Sequence, residues 1–151
     1  MQGGTYSYIY IHATWTTCNR QALLSAIVRK VLFPFLKQHA LSKGIQLLSV
    51  NGVQDHIHVV IKLTAHQTVS DVVKHLKSDS SDWLNNNKFL NTLFEWDDNF
   101  CAYSISPSTV DKSIEYLNRQ EEYHQTKTLD EELSAFEKMV LQGGYMIDSV
   151  A

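Results

Sequence analysis

His56 and His58 stand one residue apart in the apolar run Asp55-His56-Ile57-His58-Val59-Val60-Ile61, and Tyr116-Leu117-Asn118-Arg119-Gln120 follows well downstream. Side chains of an extended strand alternate between faces, so a spacing of two sends both imidazoles to one side. Positions four apart in a helix share a stripe, so Tyr116 and Gln120 point the same way. Two nitrogen ligands, an amide oxygen and a phenol would make one site, and that grouping suits metal-assisted phosphodiester cleavage with tyrosine as the nucleophile.

A phenol with an ordinary pKa of about 10 is a weak nucleophile at neutral pH. The site must therefore stabilise negative charge on the phosphate and on the leaving oxygen, which a bound dication does for several kcal/mol. His56 and His58 offer fixed nitrogens and Gln120 a neutral oxygen, leaving coordination positions for phosphate and water. Two imidazoles favour Mn2+ or Zn2+ over Mg2+ on ligand type alone. Lys62, on the same strand face, suits a substrate phosphate as a point charge. Either motif by itself has a plainer meaning, a polar sheet position or a helix surface; it is their conjunction that points to chemistry.

The elements that must hold these residues follow from periodicity. Thr5 to Thr17 alternates, with Ile9, Ile11, Ala13 and Trp15 on one side and Tyr6, Tyr8, Tyr10 and His12 on the other, which predicts a first strand. Apolar residues from Leu23 to Leu36 recur at helical spacing up to about Ser42, but Pro34 predicts a kink or two abutting helices near Phe33. Ile45 to Val50 and His56 to Leu63 read as strands joined as a hairpin through Asn51-Gly52. A second amphipathic helix from about Val69 to Asn85 opens at Thr68 or Ser70. Phe100 to Ser106 reads as a fourth strand. Ser106-Pro107-Ser108-Thr109-Val110-Asp111 then supplies an N-cap, a proline for the first turn and an S-x-x-D capping box.

The order β-α-β-β-α-β predicts an α+β, ferredoxin-like or RRM-like sandwich with an antiparallel sheet, followed by C-terminal helices that carry the tyrosine. In that topology the first and third strands are central, so His56 and His58 fall beside Tyr8, Tyr10 and His12 on the open face. The helix bearing Tyr116 must then approach that face. The expected organisation is one domain over 1–151, with a palm at 1–106, a tyrosine helix at 107–125 and a terminal helix at 128–142.

Bulk properties fit this reading. At 151 residues and 44% hydrophobic, one domain with its own core is expected. No apolar stretch reaches the roughly 18 residues of a membrane span, and Met1-Gln2-Gly3-Gly4 has no basic leader character, so a soluble cytoplasmic protein without membrane partners is expected. Cys18 and Cys101 suggest two inert thiols. The net charge of -3 is uneven: residues 1 to 90 hold nine Lys and Arg against four Asp and Glu, and residues 91 to 151 four against twelve. This split is compatible with a nucleic-acid face in the first part, where Lys74, Lys77 and Lys88 either touch a DNA backbone or merely solubilise a helix, and the acidic tail reads as a solvated helix. Tyr6, Tyr8 and Tyr10 read as packing residues in preference to base-stacking ones. His12, His39, His66, His75 and His124 show no metal spacing.

His56-Ile57-His58 fits an HUH pattern (U hydrophobic), and Tyr116 with Gln120 fits Tyr-x-x-x-Gln. Around them stand Thr14-Trp15-Thr16-Thr17-Cys18-Asn19-Arg20, Asn51-Gly52-Val53-Gln54-Asp55, Trp96, Tyr103-Ser104-Ile105-Ser106-Pro107-Ser108 and Gln120-Glu121-Glu122-Tyr123-His124. Together, from Tyr6 to Phe136, they resemble the single-tyrosine HUH transposases of the insertion-sequence 200/605 family.

The resemblance implies a metal-dependent single-strand DNA endonuclease and strand transferase acting at hairpin-marked element ends. Tyr116 would attack through a 5′-phosphotyrosine intermediate, and Mg2+ or Mn2+ would be held by His56, His58 and Gln120. Arg20, Lys62, Lys74 and Lys77 would be substrate contacts. It also implies a homodimer in which the tyrosine helix of one subunit completes the site of the other, in trans. Where relatives carry a glycine and an aromatic after the tryptophan, this chain has Asp97-Asp98-Asn99-Phe100, a departure that bears on DNA contacts. The alternatives are a domesticated relative nicking repetitive hairpins and a non-catalytic single-stranded nucleic-acid-binding module. A water-activating hydrolase ranks below them, because Asp55 should project away from His56 and leave no general base.

Overall fold

Strand alternation places two central strands side by side. In a computed structural model of the chain, which describes residues 3–143, β1 (Ile9–Thr16), β2 (Gln46–Gly52), β3 (His56–Leu63) and β4 (Cys101–Ile105) form one sheet in the order β2-β3-β1-β4. All three pairings are antiparallel. With helices α1 (Ala26–Ser42) and α2 (Val69–Asn86) between its strands, this is the expected α+β ferredoxin-like arrangement, first and third strands in the middle.

Period-two patterning sorts one sheet face. Ile11, Ala13 and Trp15 of β1 join Ile57, Val59, Ile61 and Leu63 of β3 in a core closed by Leu32 and Leu36 of α1 and Val72, Val73 and Leu76 of α2. Each such side chain, fully buried, contributes about 1.5–3 kcal/mol. Thr68 caps α2 by accepting from the Asp71 amide at 3.1 Å.

α1 differs from expectation at its start. It begins at Ala26, where the Ser25 hydroxyl accepts from the Val28 amide at 3.2 Å, and it runs as one element through Pro34. An internal proline costs about 3 kcal/mol; burial of Val28, Leu32, Leu36 and Ala40 along one face offsets that.

The second sheet face is not open. His12, His56, His58 and Val60 are all buried, and α3 (Val110–Asn118) packs Val110 and Leu117 onto Val60, with Ile114 and Tyr116 alongside. Tyr6 and Tyr8 are exposed in the single chain.

The helix expected over 107–125 is broken. A short 3-10 turn over Pro107–Thr109 leads into α3; Arg119, at φ -107 and ψ 23, leaves the helical region, and a short α4 (Gln120–Tyr123) follows. The cap expected of Ser106 is also absent: its hydroxyl engages those of Ser108 and Thr109 in place of a backbone amide. The terminal helix α5 spans Leu129–Gly143. By internal contacts the chain divides into two compact units, Met1–Asn118 and Arg119–Ala151. Among the described residues no helix is long and apolar enough to cross a membrane.

Candidate active site

Both histidines sit on β3, one of the two central strands, with a partner on each side. His58 lies opposite Thr14 of β1 and Asn51 of β2, and His56 lies opposite Thr16. The two imidazoles share a face as the spacing predicts, their centroids 5.1 Å apart and their planes at 80°. β2 passes close enough that a Cβ on Gly52 would fall 2.2 Å from the His56 carbonyl oxygen. Only glycine fits there.

Each ring is held through Nδ1. For His56 the partner is Oδ1 of Asp55 at 2.8 Å; for His58 it is Nε2 of His12 at 2.8 Å. The Asp55 contact corrects the expectation that this carboxylate points away. Asp55 lies in the bend before β3, so strand alternation does not govern it. A ring held through Nδ1 by an outer partner presents Nε2 to a cation, the usual support of a ligating histidine. His56 therefore presents Nε2, since a carboxylate only accepts, and His58 joins it at a divalent ion when its own proton sits on Nδ1.

Tyr116 belongs to the same unit as the histidines. Its ring meets His58 edge-on, centroids 6.4 Å apart and planes at 87°. The C-terminal end of α3 has carbonyls without intrahelical partners, and Asn51 supplies one: its Nδ2 donates to the Leu117 carbonyl at 2.8 Å. Asn51 was not singled out as a site residue by the sequence reading. Its role follows from β2–β3 register and a contact 66 residues away.

Gln120 lies in the second unit and is fully buried there. Its Nε2 donates to Oε2 of Glu132 at 2.8 Å, while Oε1 faces Nε2 of His124 at 3.1 Å. The same His124 nitrogen is 3.1 Å from Oε1 of Glu132. A carboxylate only accepts, so Glu132 settles which way the Gln120 amide points. Glu132, wholly buried, also corrects the reading of the acidic tail as simply solvated. The signal available in sequence was His124, one helical turn after Gln120.

The cationic residues fall elsewhere in the first unit. The Lys62 ammonium lies over the rings of Tyr8 and Tyr10, 5.0 and 5.9 Å from their centroids. Lys74 and Lys77 line an open groove of about 620 Å3 with Trp96 and Phe100; neither histidine of β3 lines it. Lys77 donates to the carbonyls of Asp97 and Asn99 at 2.5 and 3.2 Å. Burial lowers its pKa, with the Asp97 and Asp98 carboxylates acting in the opposite sense. Arg20 ends a short turn at positive φ, 54°, next to Asn19 at 56°.

Residues 5–120 match the model of the family described as "Transposase IS200 like". The ISDra2 transposase TnpA of Deinococcus radiodurans is 25% identical over 126 residues, 79% of this chain and 88% of that one. A crystal structure of a candidate transposase from Deinococcus radiodurans R1 superposes with a TM-score of 0.63 at 24% identity, over 80% of this chain and 97% of the other. A REP-associated tyrosine transposase bound to a REP hairpin superposes with a TM-score of 0.59 at 14% identity, over 82% and 74%. At these identities the two structures speak for the fold.

Proposed function

This chain belongs to the IS200-like transposase family, and from that premise we propose that it cuts and rejoins single-stranded DNA at hairpin-marked element ends, with Tyr116 as nucleophile. The phenolic oxygen attacks a backbone phosphorus, the bond to the 3′-oxygen breaks, and that oxygen leaves as a 3′-OH after gaining a proton. The 5′-phosphate stays on Tyr116. A second 3′-OH reverses the exchange and frees the phenol, so the bond energy is kept within the DNA.

His56, His58 and Gln120 are the proposed holders of Mg2+ or Mn2+, which when bound supplies positive charge to the attacked phosphate. His56 offers Nε2 because the Asp55 carboxylate accepts from its Nδ1, and His58 does so when its Nδ1–H donates to His12. Glu132 orients the Gln120 amide. Lys62, Arg20, Lys74 and Lys77 are the proposed phosphate contacts.

One observation carries the reading: the Tyr116 ring stands against His58, so the tyrosine and the histidine pair lie within one compact unit. This supports a nucleophile acting within its own chain. The proposed homodimer also admits the exchanged arrangement, which mixing His58→Ala and Tyr116→Phe subunits tests: recovered cleavage marks exchange. The likeness to a transposase bound to a REP hairpin favours a second reading, a domesticated relative nicking repetitive hairpins; the DNA flanking its gene separates the two.

The deciding experiment incubates the protein with Mn2+ and hairpin-bearing single strands from flanking DNA. A DNA adduct that survives SDS and disappears in Tyr116→Phe is expected. DNA binding that ignores metal, gives no cleavage and is unchanged in His56→Ala would mark a non-catalytic binding module and sink the proposal.

A further inference from the structure

A line of hydrogen bonds crosses the sheet to His58 from two residues outside both motifs. His12 of β1 faces Tyr103 of β4 in the ladder, and Tyr103 Oη lies 2.6 Å from His12 Nδ1. From the other edge of its ring, Nε2 of His12 meets Nδ1 of His58 at 2.8 Å. Thr14 is the residue opposite His58, so His12 reaches it diagonally, two positions along β1, as neighbouring strands permit. The His12 ring is buried, and its centroid is 5.0 Å from that of His58 and 4.9 Å from that of Tyr103.

We propose that His12 and Tyr103 are positioning residues that fix His58 as an Nε2 metal ligand; this rests on the reading above in which His58 binds a divalent ion. A neutral imidazole carries one N–H and one lone pair, so the line runs in one of two directions. In the first, His58 Nδ1–H donates to His12 Nε2, and His12 Nδ1–H donates to the phenolic oxygen. In the second, the phenol donates to His12 Nδ1 and His12 Nε2–H donates to His58 Nδ1. Only the first leaves the His58 lone pair on Nε2, where a cation can use it. Binding a cation therefore selects the direction of all three groups together. His56 is served by the carboxylate of Asp55, which accepts only, so its ring has a single direction. Tyr103 accepts as well as donates and so completes the first direction at its far end.

The test measures Mn2+ affinity of the full chain by titration calorimetry, and the His58 tautomer in the Mg2+ form by nitrogen-15 NMR. His12→Phe keeps a ring but removes the acceptor, and loss of such an outer partner weakens binding about 10- to 100-fold. Tyr103→Phe, which removes one hydroxyl at the far end, should give a smaller loss. His12→Gln, which retains an acceptor, should bind more tightly than His12→Ala. His58 should carry its proton on Nδ1. Mn2+ affinity in Tyr103→Phe and His12→Phe within about twofold of wild type, or a His58 protonated on Nε2, overturns the proposal while leaving the cation site standing. Wild-type protein with no Mn2+ binding sensitive to His56→Ala overturns the site and this inference with it.

Discussion

Asn51 holds the carbonyl of Leu117 at 2.8 Å from its amide nitrogen. The same residue stands opposite His58 in the β2–β3 ladder, so one side chain connects the strand that carries an imidazole to the helix that carries the phenol. Asn51→Ala leaves a helix-end carbonyl without this donor, at a cost of about 1–3 kcal/mol if no water replaces it. Because the bond sets the tyrosine and not the histidines, the single-turnover rate of adduct formation should fall while Mn2+ affinity stays near wild type. Equal losses in both would show that Asn51 acts on the whole site.

Metal should stabilise the fold through the same histidines. A ligand at a hundred times its Kd adds about 2.7 kcal/mol, which for a chain of this size raises the melting temperature by roughly 5–10 °C. That shift should vanish in His56→Ala and His58→Ala, read against each variant's own metal-free melting temperature. A shift that survives both substitutions would place the cation elsewhere.

Glu132 makes a sharper prediction about Gln120. Its carboxylate accepts from the Gln120 amide at 2.8 Å; Glu132→Gln can donate or accept, so the amide loses its imposed direction. Cleavage should fall while the chain remains folded by circular dichroism. Wild-type cleavage in this variant would remove Gln120 orientation from the mechanism.

Lys74 and Lys77 should separate in DNA titrations. If Lys74 touches one phosphate, Lys74→Ala lowers the slope of log affinity against log salt by about 0.7 for a single strand, with little change in stability. Lys77 in addition ties the 97–99 segment to α2 through two carbonyls, so Lys77→Ala should also cost about 1 kcal/mol of stability. Thermal melts and salt titrations on both variants decide between these roles.

Much of this was legible because the information is local. Alternation along β1 and β3 picks out the core face, and the His-x-His spacing places both rings on its reverse. Thr68 announces the start of α2 by its own side chain. What was not legible depends on register or on distant partners. Alternation sets His12 on the face of His56 and His58, but its bond to His58 and the approach of Tyr103 follow only from the register of β1 between β3 and β4. Asp55 was misread because alternation was carried one residue past the start of the strand. The stop at Arg119 has no proline or glycine to signal it. Glu132 reads as one more solvated acid in sequence, because its partners Gln120 and His124 are 12 and 8 residues away.

β3 is flanked on both sides, so its backbone amides are shielded by two ladders. Such amides exchange with solvent only when a whole domain opens, in contrast with those of edge strands and fraying ends. The imidazoles are thereby anchored to the most reluctant part of the sheet. Deuterium labelling should find His58 and its strand neighbours among the last positions to exchange, so the ligand geometry should persist through local breathing elsewhere in the chain.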